Sequence, residues 1–243
     1  AEDLELFPVS VLSSHDRQLL WGGPEGRRRF VDRVAFYLHP DTLPVLQRYR
    51  RILRQRNALL AGRDRDAELE AFEHDLAQLG SRLVSLRLEA IAAIEKALPA
   101  ELEGLGWGLS RPNLRYDAPD GLAPADVTGM NGWLRAQLAR TRGRDRARGA
   151  TAVGPHRHDL AISVAGSPAR ETLSAGQGKL LATAFRLAAM AVFERVRGRI
   201  PAVVFDDVDA ELEGTVLQRV FARLKGSGPA LLSSAHEEMV LPR

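Results

Sequence analysis

Cysteine is absent from all 243 residues, which excludes a disulfide scaffold and any zinc or iron–sulfur site held by thiolates. Lysine is nearly absent as well. Lys96, Lys179 and Lys225 are the only three among 34 basic residues, so the formal net charge of +3 is carried almost wholly by arginine. No apolar run reaches the roughly 18 to 20 residues that cross a bilayer, and no charged, apolar, small-residue leader opens the chain. The expectation is a soluble, cytoplasmic protein with no membrane partner. With 45% apolar and 27% charged residues the chain is no disordered tail, and its length suits one large domain or two small ones. It begins Ala1-Glu2-Asp3, without methionine, and enters directly on an apolar stretch, which suggests a fragment of a longer polypeptide.

Arginine's planar fork binds carboxylates and phosphates through paired hydrogen bonds, so an arginine-rich surface suits a polyanion. A GC-rich genome produces the same bias, and composition alone only makes nucleic acid admissible.

The periodicity divides the chain into two kinds of segment. After a short extended stretch from about Glu2 to Leu12 and a breaker at Gly22-Gly23-Pro24, helical spacing starts at Pro24 and runs through Phe30, Val31 and Val34 until Pro40-Asp41. From Thr42 to Leu60 the positions Leu46, Tyr49, Leu53 and Leu60 form one stripe, and Arg48, Arg50, Arg51, Arg54 and Arg56 fill much of the rest. A second long helix is expected from about Asp66 to Leu98, with a heptad seam at Leu69, Phe72, Leu76, Leu79, Leu83 and Leu86. It is long enough to project as an arm, and an ordinary helical bundle fits equally well. Leu114 and Tyr116 mark a possible strand, and Ala125 to about Leu138 a further helix. Arg140, Arg142, Arg144, Arg146 and Arg148 then fall at every second position. In an extended segment these five would point one way and form a stripe for phosphates; a mobile, solvated linker is the alternative.

Beyond this point strands return. Leu160, Ile162 and Val164 alternate as a half-buried strand, and Ser174 to about Arg197 is a helix apolar on nearly every side. Ala202 to Phe205 and Ala230 to Leu232 are buried strands flanking a helix from Leu212 to Leu224. The order predicts an α/β domain with parallel pairing.

Two local motifs carry chemistry. The strand Pro201 to Phe205 runs into Asp206-Asp207, placing carboxylates at the carboxyl edge of a parallel sheet, where ligands of α/β folds bind. This is the arrangement of a Walker B strand, whose first carboxylate holds Mg²⁺ and whose second orients the water that attacks a γ-phosphate. Upstream, Leu173-Ser174-Ala175-Gly176-Gln177-Gly178-Lys179 precedes the buried helix. Ser174 is a good N-cap, and small residues let the first-turn N–H groups approach an anion, aided by the helix dipole. A plain helix cap is the bland reading. The heptapeptide resembles an ABC-type signature, one helix before the Walker B strand.

Taken together with Gly154-Pro155-His156-Arg157-His158-Asp159-Leu160, Ala210-Glu211-Leu212, Gly22 to Asp32 and Arg48 to Leu60, these segments resemble the RecF family in the same order over nearly the whole chain. The resemblance implies an α/β fold, a partial ABC-type ATPase head (parallel-sheet, P-loop NTPase-like) with an inserted helical arm or bundle. Residues 1–23 and 141–243 would belong to the head and 24–140 to the arm. It further implies ATP and Mg²⁺ as cofactors, a homodimer closed by ATP, DNA at single-strand to double-strand junctions, and RecO, RecR and RecA as partners. On that basis Ser174, Gly176, Gln177, Lys179 and Glu211 contact nucleotide, Asp206 serves Mg²⁺, Asp207 orients water, and His236 contacts γ-phosphate as a switch residue.

The sequence departs from the family at His158, where an acidic residue is common, at Ala175 and Gly178, where glutamines are common, and at Asp209, which adds a third carboxylate near Asp206. His156 and His158 lack the spacing of a zinc site and are expected in structural or phosphate-facing roles. No Gly-x-x-x-x-Gly-Lys-Ser/Thr loop occurs. The family carries that loop near its N-terminus, so the chain reads as a RecF-like protein lacking the N-terminal nucleotide-binding segment, inactive as an ATPase alone, although the complete protein would be a weak DNA-dependent one. Two alternatives are an SMC-type chromosome-maintenance head, against which the short turn from Gly62 to Arg65 argues, and a non-catalytic DNA-binding or dimerisation module. The expected DNA contacts are Arg140, Arg142, Arg144, Arg146 and Arg148, followed by Arg48, Arg51 and Arg54.

Overall fold

In the computed structural model, which describes residues 9–62, 66–119, 121, 129–205, 214–225 and 230–233, the stretches with a 3.6-residue period are helices. The chain order is β1 (Val9–Leu12), a 3₁₀ turn (Ser14–Arg17), α1 (Gln18–Trp21), α2 (Pro24–Leu38), α3 (Thr42–Leu60), α4 (Asp66–Leu105), β2 (Asn113–Asp117) and α5 (Met130–Arg148). Then follow β3 (Asp159–Val164), β4 (Ser167–Pro168), α6 (Ala169–Thr172), α7 (Ala175–Arg197), β5 (Ala202–Phe205), α8 (Gly214–Leu224) and β6 (Ala230–Leu232). The framework divides into two units, residues 1–30 with 92–114 and 161–243, and residues 31–91 with 115–160.

In the first unit β1, β5 and β6 form a parallel sheet in the order β1-β5-β6. Ser10, Val203 and Phe205 point to one face and are buried, at 7%, 1% and 3% exposure. Helix α7 packs against β1, and Phe221 of α8 meets Phe205 edge to face, with ring centroids 6.2 Å apart. The register pairs Val9 with Ala202, Val11 with Val204 and Val204 with Leu231, so these five share the opposite face. There Val9 is 48% exposed, Val11 43% and Leu231 68%. Parallel sheets are ordinarily covered on both faces, and among the described residues only one face of this sheet is buried.

The expected parallel partner Leu160–Val164 is not part of that sheet. Strand β3 lies in a second sheet, ordered β2-β3-β4, and pairs antiparallel with β4. The cause is local: Ala165 and Gly166 adopt φ of 50° and 83°, which reverses the chain after Val164.

Helix α4 runs past the expected end at Leu98 and through Pro99 to Leu105. A proline there cannot donate to the Glu95 carbonyl one turn back. That oxygen instead accepts from Arg111 Nη2 at 2.7 Å, which removes the penalty of an orphaned acceptor.

The second unit is built on α3, the first part of α4, and α5. The buried face of α3 is Thr42, Tyr49, Ile52, Arg56 and Leu60, whereas Leu46 and Leu53 are half-buried. On α4, Leu69, Glu73, Leu76, Gly80, Leu83, Val84 and Arg87 are buried while Phe72 and Leu79 are half-buried. This is the wide face of a bundle helix rather than a two-position seam, and the stretch shares its unit with residues 115–160. Helix α5 continues through Arg140 to Arg148 and stops at Gly149, whose φ of 64° is the left-handed cap. The expectation of an extended arginine segment is therefore wrong. Arginine is a good helix former, and Gly143, at a cost of about 1 kcal/mol against alanine, is carried by the packing of Asp145 onto Arg56, so the run continues to Gly149.

Candidate functional site

The signature-like segment sits at the start of α7, built as its sequence foretold. Ser174 is the N-cap: its hydroxyl accepts from the Gln177 N–H at 3.3 Å, and the Gln177 side-chain oxygen accepts from the Ser174 N–H at 2.9 Å. This reciprocal capping box satisfies two of the helix's orphan donors. Ser174, Ala175 and Gly176 are exposed, and the space beside the Gly176 Cα is open. A phosphate oxygen can thus approach the first turn's remaining N–H groups, which is the geometry that suits an anion. Ser174 and Gln177 offer a nucleotide only the hydrogen-bonding capacity left over from capping. Lys179 lies in the same turn, half-buried, and its carbonyl accepts from the Thr183 hydroxyl at 3.0 Å.

Gly178 is buried for a steric reason. A Cβ at this position would run into the six-membered ring of Trp21, which lies over the first turn of α7. Sequence reasoning marked the glycine as a departure and missed its partner, since nothing in the local pattern ties residue 21 to residue 178. The helix is anchored further along by Arg186, whose Nε donates to Asp16 at 2.7 Å and whose guanidinium lies 5.7 Å from the centre of the Phe30 ring. Phe30 in turn meets Phe185 edge to face at 5.9 Å.

Strand β5 delivers the chain to the carboxyl edge of the parallel sheet, and the ladder extends through the Ser233 N–H, which donates to the Phe205 carbonyl at 2.8 Å. Asp206, Asp207, Glu211 and His236 follow these strands and lie outside the described residues. Among the described residues no group of three or more His, Asp or Glu is placed to hold a metal ion. No helix among them is long and apolar enough to cross a membrane. Behind the edge, Arg223 of α8 forks onto Glu101 at 3.0 Å, and that hydrogen bond first, against some loss from burial, raises its pKa above the ordinary arginine value.

In the second unit the two motif histidines are structural. The Nε2 of His156 lies 3.0 Å from the Thr151 carbonyl, so it carries the proton and Nδ1 accepts from the Tyr49 hydroxyl at 2.7 Å. His158 is fully buried, with Nδ1 2.8 Å from the Tyr116 hydroxyl. Between them Arg87 donates to the Pro155 carbonyl at 2.6 Å and to Asp32 at 2.7 Å. Burial lowers the Arg87 pKa, but the Asp32 charge and Tyr116 outweigh it and the guanidinium is held charged, above its usual value. The turn from 154 to 158 is thus fixed on both sides, and Arg157, between the two histidines, is exposed.

The five arginines of α5 divide into two sets. Arg142 forks onto Glu73 at 2.6 to 3.0 Å, which raises its pKa, and Arg146 reaches Asp66 at 2.6 Å; both acids belong to α4. Arg140, Arg144 and Arg148 are exposed and pair with no acid among the described residues. On α3, Arg48 meets Asp75 at 3.4 Å, while Arg50, Arg51 and Arg54 are exposed and likewise meet no described acid. Arg56, which the pattern placed on the solvated side, has 0% exposure and binds Asp145, Thr151 and Glu73 at 2.9, 2.7 and 2.9 Å.

No protein-family model matches the chain. Among curated proteins it is 39% identical over 221 residues to the DNA replication and repair protein RecF of Stenotrophomonas maltophilia, which covers 87% of this chain and 56% of that protein. The proteins of the same name from Myxococcus xanthus and Anaeromyxobacter are 33% identical over 210 and 231 residues, covering 84% and 93% of this chain and 55% and 62% of theirs. A solved structure described as the recombination mediator protein RecF with ATP in the RecFOR pathway superposes with a TM-score of 0.86 at 23% identity, over 98% of this chain and 65% of its own. That likeness carries the fold: a parallel α/β sheet with a helical part. The chain spans little more than half the length of the curated relatives it matches.

Proposed function

This chain belongs to the RecF family over the stretch that its relatives match, and on that premise we propose that it works within an ATP-dependent, DNA-binding protein of recombinational repair and replication restart. The observation that supports the reading most is the exposed first turn of α7, capped by Ser174 and Gln177, in a chain whose fold superposes on RecF with ATP. In this reading two copies close on ATP, and the first turn of α7 in one copy, with Ser174, Gly176, Gln177 and Lys179, caps the γ-phosphate held by the other. Glu211 lines the dimer seam, and His236 contacts the γ-phosphate. Bound Mg²⁺ would neutralise the phosphate charge, with Asp206 holding it and Asp207 orienting water. The closed dimer sits on DNA at single-strand to double-strand junctions in the cytoplasm, where it helps RecO and RecR load RecA at gaps.

Nucleotide-dependent dimerisation tests this. For the complete product of the gene encoding these residues, light scattering with ATP, Mg²⁺ and gapped DNA should report a dimer, and without ATP a monomer. Ser174→Arg should abolish the dimer while ATP binding to each copy persists. A mass indifferent to ATP would overturn the reading.

A further inference from the structure

The helical unit segregates its charge. Helices α3 and α5 together carry eleven arginines and one acid, Asp145, which is fully buried against Arg56. Asp145 aside, the described acids that pair with arginines of these two helices, Asp66, Glu70, Glu73 and Asp75, all lie on α4. Each residue of an α-helix turns the chain by about 100°, so steps of four drift by only about 40°. Arg140, Arg144 and Arg148 therefore follow one stripe of α5 spanning about 12 Å, while Arg135, Arg142 and Arg146 lie on the flank held by α4.

Helix α3 lies alongside α5, since Arg56 reaches both Asp145 and the Leu138 carbonyl. Its stripe Arg50, Arg54, Asn57 is turned toward the end of α5, because the Asn57 side-chain oxygen accepts from both the N–H and the hydroxyl of Thr151, at 2.9 and 2.6 Å. Five exposed guanidiniums thus border one groove, with no described carboxylate among them. Like charges one turn apart on a helix repel by a few tenths of a kcal/mol per pair, so in the free protein the arrangement is unfavourable and a polyanion relieves it.

We propose that the α3–α5 groove, through Arg50, Arg54, Arg140, Arg144 and Arg148, is a docking surface for the phosphate backbone of duplex DNA. The inference rests on the DNA-binding reading above and selects which arginines serve it: Arg142 and Arg146 are spent on α4, Arg48 on Asp75, and Arg51 lies off the stripe. One strand of a duplex offers a phosphate about every 3.4 Å along the axis, so a ladder about 12 Å long faces three to four of them. The five are backbone contacts without sequence preference. Of the aromatics on these two helices, Tyr49 is buried and Trp133 is half-buried with its indole against Gly121, so among the described residues the two helices offer no exposed stacking platform of the kind that holds single strands.

The test is fluorescence anisotropy of the complete product of the gene encoding these residues, with ATP and Mg²⁺, and a duplex of about 30 base pairs, from roughly 50 to 200 mM salt. Replacing Arg140, Arg144 and Arg148 together by Gln should weaken binding about 100-fold at 0.1 M salt and lower the salt slope by about 2.7. R50Q with R54Q, on the other helix, should lower it by about 1.8. R135Q with R146Q removes equal charge from the α4 flank and should leave the slope within about one unit of wild type. Circular dichroism checks that each variant is folded. Wild-type binding that survives both groove variants overturns the groove and leaves DNA binding standing; no binding by wild type overturns both. Equal or tighter binding of a single strand of the same length overturns the duplex assignment.

Discussion

Replacing Arg56 by methionine should destabilise the helical unit by about 3 to 5 kcal/mol. The guanidinium is wholly buried and holds two carboxylates that are themselves 2% and 0% exposed. Methionine keeps most of the stem's volume, so the loss is electrostatic rather than a cavity. Glu73 retains the fork of Arg142. Asp145 retains only neutral donors, the Thr141 hydroxyl and the Ala152 N–H at 3.1 Å each. The uncompensated charge is therefore mainly Asp145, and the double variant R56M–D145N should recover at least about 1 kcal/mol relative to the sum of the single changes. Arg56→Lys should fall between, because an ammonium cannot fork onto two acids. Urea unfolding followed by circular dichroism reads the effect: at a slope of about 2 kcal/mol per M, a loss of about 4 kcal/mol moves the midpoint by about 2 M. Amide exchange in α3, α4 and α5 locates the loss, since two units need not unfold as one. A loss below about 1 kcal/mol, or strict additivity with D145N, refutes the assignment of Arg56 as the unit's charge hub.

Three further outcomes follow from the same geometry. Gly178→Ala should push the Trp21 ring outward, at a cost of about 1 kcal/mol because the ring is 41% exposed and can move, with a red shift in tryptophan emission; an unchanged spectrum contradicts the packing. Tyr116→Phe leaves His158 Nδ1 buried without its hydroxyl and should lower stability by about 1 to 3 kcal/mol in thermal melts. The sheet face on which Val9, Val11 and Leu231 are exposed among the described residues should bind a fluorescent apolar dye, and exchanging the three for Thr should reduce that binding while changing the melting temperature little; loss of the fold would show that the face is part of the core.

Local pattern and tertiary contact divided the information about this chain. Helix α3 has the span that its period and flanking residues foretold, Thr42 to Leu60, and the Ser174 cap and the strands Ala202 to Phe205 and Ala230 to Leu232 were equally legible. These are decided within a turn or two of chain, by the spacing of apolar side chains, a hydroxyl three residues before a glutamine, and short continuous apolar runs. The partner of β3 was not legible, because the reversal at Ala165-Gly166 that removes it from the parallel sheet has no strong sequence mark. Nor was the fate of the arginines. The acids that bury Arg56 and capture Arg142 and Arg146 lie 17, 89, 69 and 80 residues away, and only packing brings them to the guanidiniums. By itself the sequence determined an arginine-rich helical segment joined to a capped, glycine-lined helix before an acidic strand end. Which arginines are consumed by the fold and which are left facing solvent was decided by tertiary structure, since charge compensation depends on distance in space and not on separation along the chain.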